Sequence, residues 1–148
     1  MDKLPDVKLI APDGSPLRLA EQSLPLVVYF YPKDDTTGCT REAQDFSALA
    51  GDFAAAGVAV LGVSKDPPKS HGKFIAKYDL AVPLASDEDG TACEAFGTWV
   101  EKSMYGRTYM GIERATFLFD RDGRLAREWR KVKVAGHAAA VLEAARAL

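Results

Sequence analysis

Cysteine is scarce in this sequence, with only Cys39 and Cys93 among 148 residues. Two cysteines are too few for the disulfide framework of a small secreted protein, so each thiol is expected to be either buried or reactive. No apolar run approaches the roughly 20 residues that a membrane-spanning helix needs. A basic excess is also absent, because the formal net charge is −2. These absences argue against a membrane protein and against nucleic acid as a partner.

No leader-like or linker-like segment stands out in the sequence. Residues 1–6 contain no apolar stretch of signal-peptide length, which predicts a cytoplasmic protein. No repeat, low-complexity tract or run rich in proline, glycine and serine divides the chain. Hydrophobic residues make up 47% and charged residues 27% of the sequence, and these fractions are typical of a globular protein. We therefore expect a single domain over residues 1–148.

Strand-like and helix-like patterns alternate along the chain. Continuous apolar runs at residues 26–31 and 58–63 predict strands that are buried on both faces. Between them, apolar residues recur at spacings of three and four, which predicts a helix over residues 40–56. The other predicted elements are a hairpin at 7–19, a helix from 66, a strand at 81–84, a helix at 87–97, a polar stretch at 101–111, a hairpin at 115–131 and a helix at 137–148. This order predicts an α/β protein with a mixed central sheet flanked by helices, which is the thioredoxin-like arrangement with an N-terminal hairpin extension.

Cys39 lies where the first buried strand gives way to a helix. The carboxyl ends of strands in open α/β sheets are where sites form, and the unpaired N–H groups at a helix start stabilise an anion such as a thiolate. Gly38 allows a small ligand to approach the backbone closely. The hydroxyl of Thr36, three residues before Cys39, is within reach of the sulfur or its substrate. From these residues alone, Cys39 is either a reactive thiol or a small buried residue in a turn.

The residues around Cys39 resemble the active-site motif of the peroxiredoxins. Pro32, Thr36 and Cys39 match the family pattern Pro-x-x-x-Thr-x-x-Cys, including its spacing. The longer segment Tyr29–Thr40 is similar to the peroxiredoxin Q branch, also called bacterioferritin comigratory protein, although Thr37 stands where that branch usually has proline. The resemblance continues along nearly the whole chain, through Ser70-His71, Lys73-Phe74, Lys77-Tyr78, Pro83-Leu84, Ser86-Asp87, Glu101-Lys102-Ser103, Tyr105-Gly106, Gly111-Ile112, Arg114 and Phe117-Leu118.

This resemblance implies a thiol-dependent peroxidase that acts on hydrogen peroxide and organic hydroperoxides. The Cys39 thiolate would attack the peroxide and become a sulfenic acid, while Arg114 would stabilise the thiolate and polarise the peroxide. Thr36 would hold the substrate oxygen, and the backbone N–H groups of Gly38 and Cys39 would stabilise the shifting charge. Pro32 would shape the pocket and shield the thiolate from water. No metal or organic cofactor is required.

The second cysteine of this branch is missing from its usual places. Many members carry a resolving cysteine five residues after the first, where this chain has Gln44, and others carry it in the stretch matching residues 74–76. We therefore expect a one-cysteine cycle. The alternatives are a two-cysteine enzyme in which Cys93 resolves and a non-catalytic binding or holdase protein on the same fold. Thioredoxin is the usual reductant by resemblance, with glutathione, glutaredoxin or a small thiol as alternatives, and members of the branch are often monomers.

Three further polar residues invite a structural interpretation. His71 and His137 each lie near a predicted helix start and are expected to cap a helix or to lie at the surface. Asp87 opens the helix predicted at 87–97 and is expected to serve as a turn and N-cap residue. Two isolated histidines do not make a metal site, so we expect none.

Overall fold

The structure is a computed structural model that describes the whole chain, Met1–Leu148. Its strands are β1 (Lys8–Ile10), β2 (Pro16–Arg18), β3 (Leu26–Phe30), β4 (Ala59–Ser64), β5 (Leu84–Ser86), β6 (Trp99–Met104), β7 (Arg107–Ile112), β8 (Ala115–Phe119) and β9 (Leu125–Trp129). Its helices are α1 (Thr37–Ala48), α2 (Ala50–Ala55), α3 (Pro68–Tyr78), α4 (Thr91–Ala95) and α5 (His137–Arg146). None of the helices combines the length and the apolar composition that crossing a membrane requires.

Seven strands form one mixed sheet in the order β2-β1-β5-β4-β3-β8-β9. The strands β3, β4 and β5 run parallel, whereas β8 pairs antiparallel with β3 and β9 pairs antiparallel with β8. The predicted N-terminal hairpin is confirmed as β1 and β2, and it joins the sheet through the pairing of β1 with β5. The prediction of a mixed central sheet flanked by helices is confirmed.

The sheet separates two hydrophobic cores, and β3 contributes to both. Successive side chains of a strand point to opposite faces, so Val27 and Tyr29 enter one core whereas Val28 and Phe30 enter the other. Helices α1, α2, α3 and α5 pack against the first face, which we call the helical face. Helix α4 packs against the second face. Each thiol of the chain therefore belongs to the face that its helix covers.

Several element boundaries differ from the sequence prediction, including that of the helix predicted at 87–97, which is α4 over Thr91–Ala95. The predicted helix over residues 40–56 is two helices, because the backbone leaves the helical conformation at Leu49, where φ is −98° and ψ is 6°. The predicted strand at 81–84 lies three residues further on, as β5. The polar stretch at 101–111 is a two-stranded ribbon of β6 and β7, closed by Tyr105 and Gly106 at positive φ. Most ribbon side chains are exposed, so no alternation of apolar and polar residues marks its strands.

Candidate active site

Cys39 is the third residue of α1, on the turn that follows β3 at the carboxyl end of the central strand. Thr36 is the N-cap residue of this helix. The N–H groups of the first turn have no acceptor within the helix, so they and the helix dipole favour negative charge at this position. The Cys39 side chain is 2% exposed and lies in the core of the helical face. The predicted position at a helix start is confirmed, and the thiol is shielded from bulk water.

Arg114 reaches Cys39 from the segment between β7 and β8. Its Nη2 atom lies 3.3 Å from the Cys39 sulfur, although the two residues are 75 positions apart in the chain. The predicted pairing of these two residues is therefore present in the structure. Gly38 makes room for the guanidinium, because a Cβ atom at this position would lie 3.2 Å from Arg114 Nη2. The arrangement places a permanent positive charge beside the sulfur.

Glu42 is a member of the site that the sequence analysis missed. Its side chain is 1% exposed, and its Oε1 atom accepts a hydrogen bond of 2.7 Å from Arg114 Nη1. Its other oxygen, Oε2, has no hydrogen-bond partner. Burial raises the pKa of Glu42 to about 7, against the attraction of Arg114. The available signal was its position three residues after Cys39, which places both side chains on one face of α1.

Thr36 and Pro32 lie in the loop that joins β3 to α1. The Thr36 hydroxyl donates a hydrogen bond of 2.9 Å to the carbonyl oxygen of Lys33. The structure places no hydrogen bond between Thr36 and the Cys39 sulfur. With its proton directed to Lys33, the hydroxyl oxygen can accept a hydrogen bond from a ligand. Pro32 is partly buried directly after Tyr31.

The two histidines are buried, so the expectation that they are capping or surface residues is wrong. His71 is fully buried and contacts Asp34 and the carbonyl oxygen of Ala85. His137 Nε2 lies 2.7 Å from the hydroxyl oxygen of Thr116. Burial, with a smaller contribution from Arg114, lowers the pKa of His137 to about 4. Both residues satisfy polar groups inside the protein, which a one-dimensional pattern does not reveal.

The Cys93 thiol lies on the opposite side of the sheet from Cys39. Cys93 is fully buried on α4, in the core of the second face. The carboxylate of Asp87 accepts hydrogen bonds from the backbone N–H groups of Ala92 (2.9 Å) and Cys93 (2.8 Å) in the first turn of α4, although the N-cap residue itself is Gly90. Burial and the neighbouring Asp87 raise the pKa of Cys93 to about 12. The thiol is therefore protonated at neutral pH and unreactive where it lies.

Comparisons with known proteins agree on one family. A model of the AhpC/TSA family matches residues 1–128. Peroxiredoxin Bcp of Xanthomonas campestris is 56% identical over 122 residues, which cover 82% of this chain and 76% of that protein. Peroxiredoxin Bcp of Bacillus subtilis is 45% identical over 142 residues, which cover 95% of this chain and 90% of that protein.

A solved structure of the same branch superposes on nearly the whole chain. The crystal structure of a cysteine-to-serine mutant of PrxQ from Xylella fastidiosa has a TM-score of 0.92 and 40% identity, covering 99% of this chain and 94% of that one. This likeness confirms the predicted thioredoxin-like arrangement. With a family model over most of its length and relatives at this level of identity, the chain belongs to the AhpC/TSA family, as a peroxiredoxin of the Bcp, or peroxiredoxin Q, branch.

Proposed function

We propose that this chain is a thiol peroxidase in which Cys39 reduces hydrogen peroxide and small organic hydroperoxides. The observation that carries the proposal is the buried Cys39 sulfur at the start of α1, 3.3 Å from Arg114 Nη2. A thiolate at this position is stabilised by the helix start and by a guanidinium that stays charged at every accessible pH. Relatives named peroxiredoxin, at up to 56% identity among those compared, support the same activity.

The proposed reaction begins with attack of the Cys39 thiolate on one peroxide oxygen. The S–O bond forms as the O–O bond breaks, and the departing oxygen takes up a proton to leave as water or an alcohol. Arg114 and the N–H groups of Gly38 and Cys39 stabilise the negative charge that moves from the sulfur to the departing oxygen. The Thr36 hydroxyl accepts a hydrogen bond from the peroxide and orients it. Pro32 bounds the pocket and limits access of water.

We further propose that the cycle uses one cysteine of the chain. Cys39 and Cys93 belong to cores on opposite faces of the central sheet, whereas a disulfide requires Cα atoms about 4.4–6.8 Å apart. The position five residues after Cys39 is the exposed Gln44, and residues 74–76 contain no thiol. An external thiol then attacks the sulfenic sulfur and releases water, leaving a mixed disulfide. A second thiol cleaves that disulfide, so that Cys39 is regenerated and the two donor thiols leave joined as a disulfide.

The proposal extends to the partner and setting of the enzyme. We propose thioredoxin or a small thiol as the electron donor, because the sulfenic acid must be reduced from outside the chain. The single domain over residues 1–148 would act as a monomer in the cytoplasm, without nucleic acid or a membrane as a partner. The formal net charge of −2 supports the absence of nucleic-acid binding.

Substitution of the proposed nucleophile tests the activity. Cys39→Ser is expected to abolish peroxide consumption with dithiothreitol as donor, because a serine hydroxyl is not ionised at pH 7. Cys93→Ser is the matched control, since it changes the same atom in the other core, and it should retain wild-type turnover. Substantial turnover in Cys39→Ser would refute the peroxidase assignment, and a peroxidase-inactive wild type would favour the binding or holdase alternative.

Mass spectrometry distinguishes the one-cysteine from the two-cysteine cycle. After one equivalent of peroxide, the protein should gain one oxygen atom at Cys39, which a sulfenic acid reagent traps. Excess peroxide should add further oxygen, because no internal thiol removes the sulfenic acid. A loss of two hydrogens, absent in Cys93→Ser, would show instead that Cys93 resolves after local unfolding.

A further inference from the structure

A buried ionic contact joins the active-site loop to α3. Asp34 lies in the loop between β3 and α1, and its Oδ2 atom is 2.8 Å from Nδ1 of His71 on α3. The two side chains are 4% and 0% exposed. The hydroxyls of Tyr31 and Ser70 donate hydrogen bonds of 2.6 and 2.8 Å to the same carboxyl group. The contact is therefore enclosed by protein and has a complete set of polar partners.

The partners of His71 fix the number of protons on its ring. Nε2 lies 3.0 Å from the carbonyl oxygen of Ala85, which can only accept, so Nε2 carries a proton. Nδ1 faces Asp34, so one further proton lies between that nitrogen and the carboxyl group. Burial raises the pKa of Asp34. This effect is outweighed by the hydrogen bonds from His71, Tyr31 and Ser70 and by the charge of His71, so the pKa of Asp34 is lowered. Both carboxyl oxygens of Asp34 act as acceptors, Oδ1 for Tyr31 and Oδ2 for Ser70, so the geometry favours placing the second proton on His71 Nδ1 and pairing an imidazolium with a carboxylate.

The same contact holds a loop whose backbone has little freedom to relax. The N–H group of Asp34 donates a 2.9 Å hydrogen bond to Asp66. Asp35, the next residue, has φ +57°, a left-handed conformation that is unfavourable for most residues other than glycine. Its carboxylate accepts hydrogen bonds from Lys77 and Tyr78 of α3, but these contacts are exposed and screened by solvent. The contact of Asp34 with His71 is therefore the attachment of the loop to α3 that is shielded from solvent.

We propose that His71, as an imidazolium paired with Asp34, is a positioning residue that fixes the loop carrying Thr36 and the start of α1. The part of this inference that concerns turnover rests on the proposed peroxidase function. His71 contacts neither Cys39 nor Arg114 in the structure and acts through the loop. When the contact is lost, the loop populates open conformations, and the displaced Thr36 hydroxyl no longer orients the peroxide.

Nitrogen-15 NMR of the imidazole rings tests the charge on His71 without any assay of activity. In the reduced wild-type protein at pH 7, both ring nitrogens of His71 should show the shifts of protonated nitrogens. In Asp34→Asn, the amide can donate to an unprotonated Nδ1, so His71 should become neutral with its proton on Nε2. An unprotonated Nδ1 in the wild type at pH 7 would overturn the proposal, and this measurement needs no variant to fold.

Hydrogen exchange and peroxide kinetics test the positioning role. His71→Gln keeps a donor for Ala85 and loses the donor to Asp34, so amide exchange over residues 33–37 should become about tenfold faster. The rate constant for the reaction with peroxide should also fall by about tenfold. Adding Asp34→Asn to His71→Gln should recover part of both losses. Lys77→Ala, which removes an exposed contact on the same helix, is the control and should change either quantity less than about twofold.

The outcomes separate this proposal from the peroxidase assignment. Exchange and peroxide rates within twofold of wild type in His71→Gln would overturn the positioning role. If Cys39→Ser retains turnover, the peroxidase proposal fails, while the NMR and exchange results still decide whether the imidazolium holds the loop.

Discussion

Glu42 is the residue whose replacement gives the sharpest test of the electrostatics around Cys39. It is a buried carboxyl group that shares Arg114 with the thiol, and only one of its two oxygens has a partner. Glu42→Gln preserves the shape of the side chain and the oxygen that accepts from Arg114, but removes its ability to ionise. The substitution therefore isolates the free energy that the protein loses when this carboxyl group becomes charged inside the core.

The magnitude follows from the displaced pKa. Burial raises the pKa of Glu42 from an ordinary value of 4.5 to about 7, which corresponds to about 3 kcal/mol between the two protonation states. Between these two pH values the folded protein retains a proton that the unfolded chain has released, so the free energy of unfolding decreases as pH rises. The contribution is fully present below pH 4.5 and is lost by the time the pH has passed 7. Glu42→Gln should abolish this decrease.

Urea unfolding of the reduced protein at pH 5 and pH 8 measures the effect. From pH 5 to pH 8 the free energy of unfolding of the wild type should fall by about 3 kcal/mol more than that of Glu42→Gln. For an m-value near 2 kcal/mol/M, this difference lowers the urea concentration at the unfolding midpoint by about 1.5 M. The comparison must be made between variants, because the lowered pKa of His137 makes stability rise with pH from about 4 to 6.5. Glu143→Gln, the same change at an exposed position of α5, is the control. Parallel pH dependences of wild type and Glu42→Gln would refute the reasoning.

Three other substitutions test the packing and charge of the site. Arg114→Ala removes the cation beside the Cys39 sulfur. It should slow peroxide reduction by at least about a hundredfold and should slow iodoacetamide alkylation of Cys39 at pH 7. Unchanged alkylation would exclude Arg114 from the site. Gly38→Ala should slow peroxide reduction about tenfold with little loss of stability, because the added Cβ would lie only 3.2 Å from Arg114 Nη2 and would displace the guanidinium. An unaltered rate would show that Arg114 tolerates the shift. Gly62→Ala should lower the free energy of unfolding by about 1–3 kcal/mol in urea melts, because its Cβ would lie 2.7 Å from buried atoms of Leu84 and Tyr29; wild-type stability would contradict this.

The sequence predicted the parts of the fold and site that depend on local pattern. The runs at residues 26–31 and 58–63 are apolar throughout because parallel strands are covered on both faces, and they form β3 and β4. Cys39 was found because its spacing from Pro32 and Thr36 is a linear motif. Arg114 was found only through the family resemblance, since nothing local distinguishes it from a surface arginine.

The missed features depend on contacts between distant parts of the chain. A glutamate in an amphipathic helix is ordinarily exposed, and Glu42 is buried only because Arg114 arrives from 72 positions away. His71 was predicted to cap a helix or to lie at the surface, and its burial was missed because its partner Asp34 is 37 positions distant. Both residues are titratable and buried. Burial of such a side chain is tolerated where a partner from another element compensates for its lost hydration.

The central sheet places the two buried thiols of the chain in different electrostatic surroundings. Both side chains are almost completely buried, so exposure does not distinguish them. Cys39 lies at a helix start beside Arg114, where positive charge stabilises a thiolate. Cys93 lies beside the carboxylate of Asp87, which disfavours a second negative charge and, with burial, raises the pKa of its thiol to about 12. Under the proposed function, the sign of the nearest charge sets the reactivity of each thiol, and the sheet between the two cores keeps Cys93 away from Cys39.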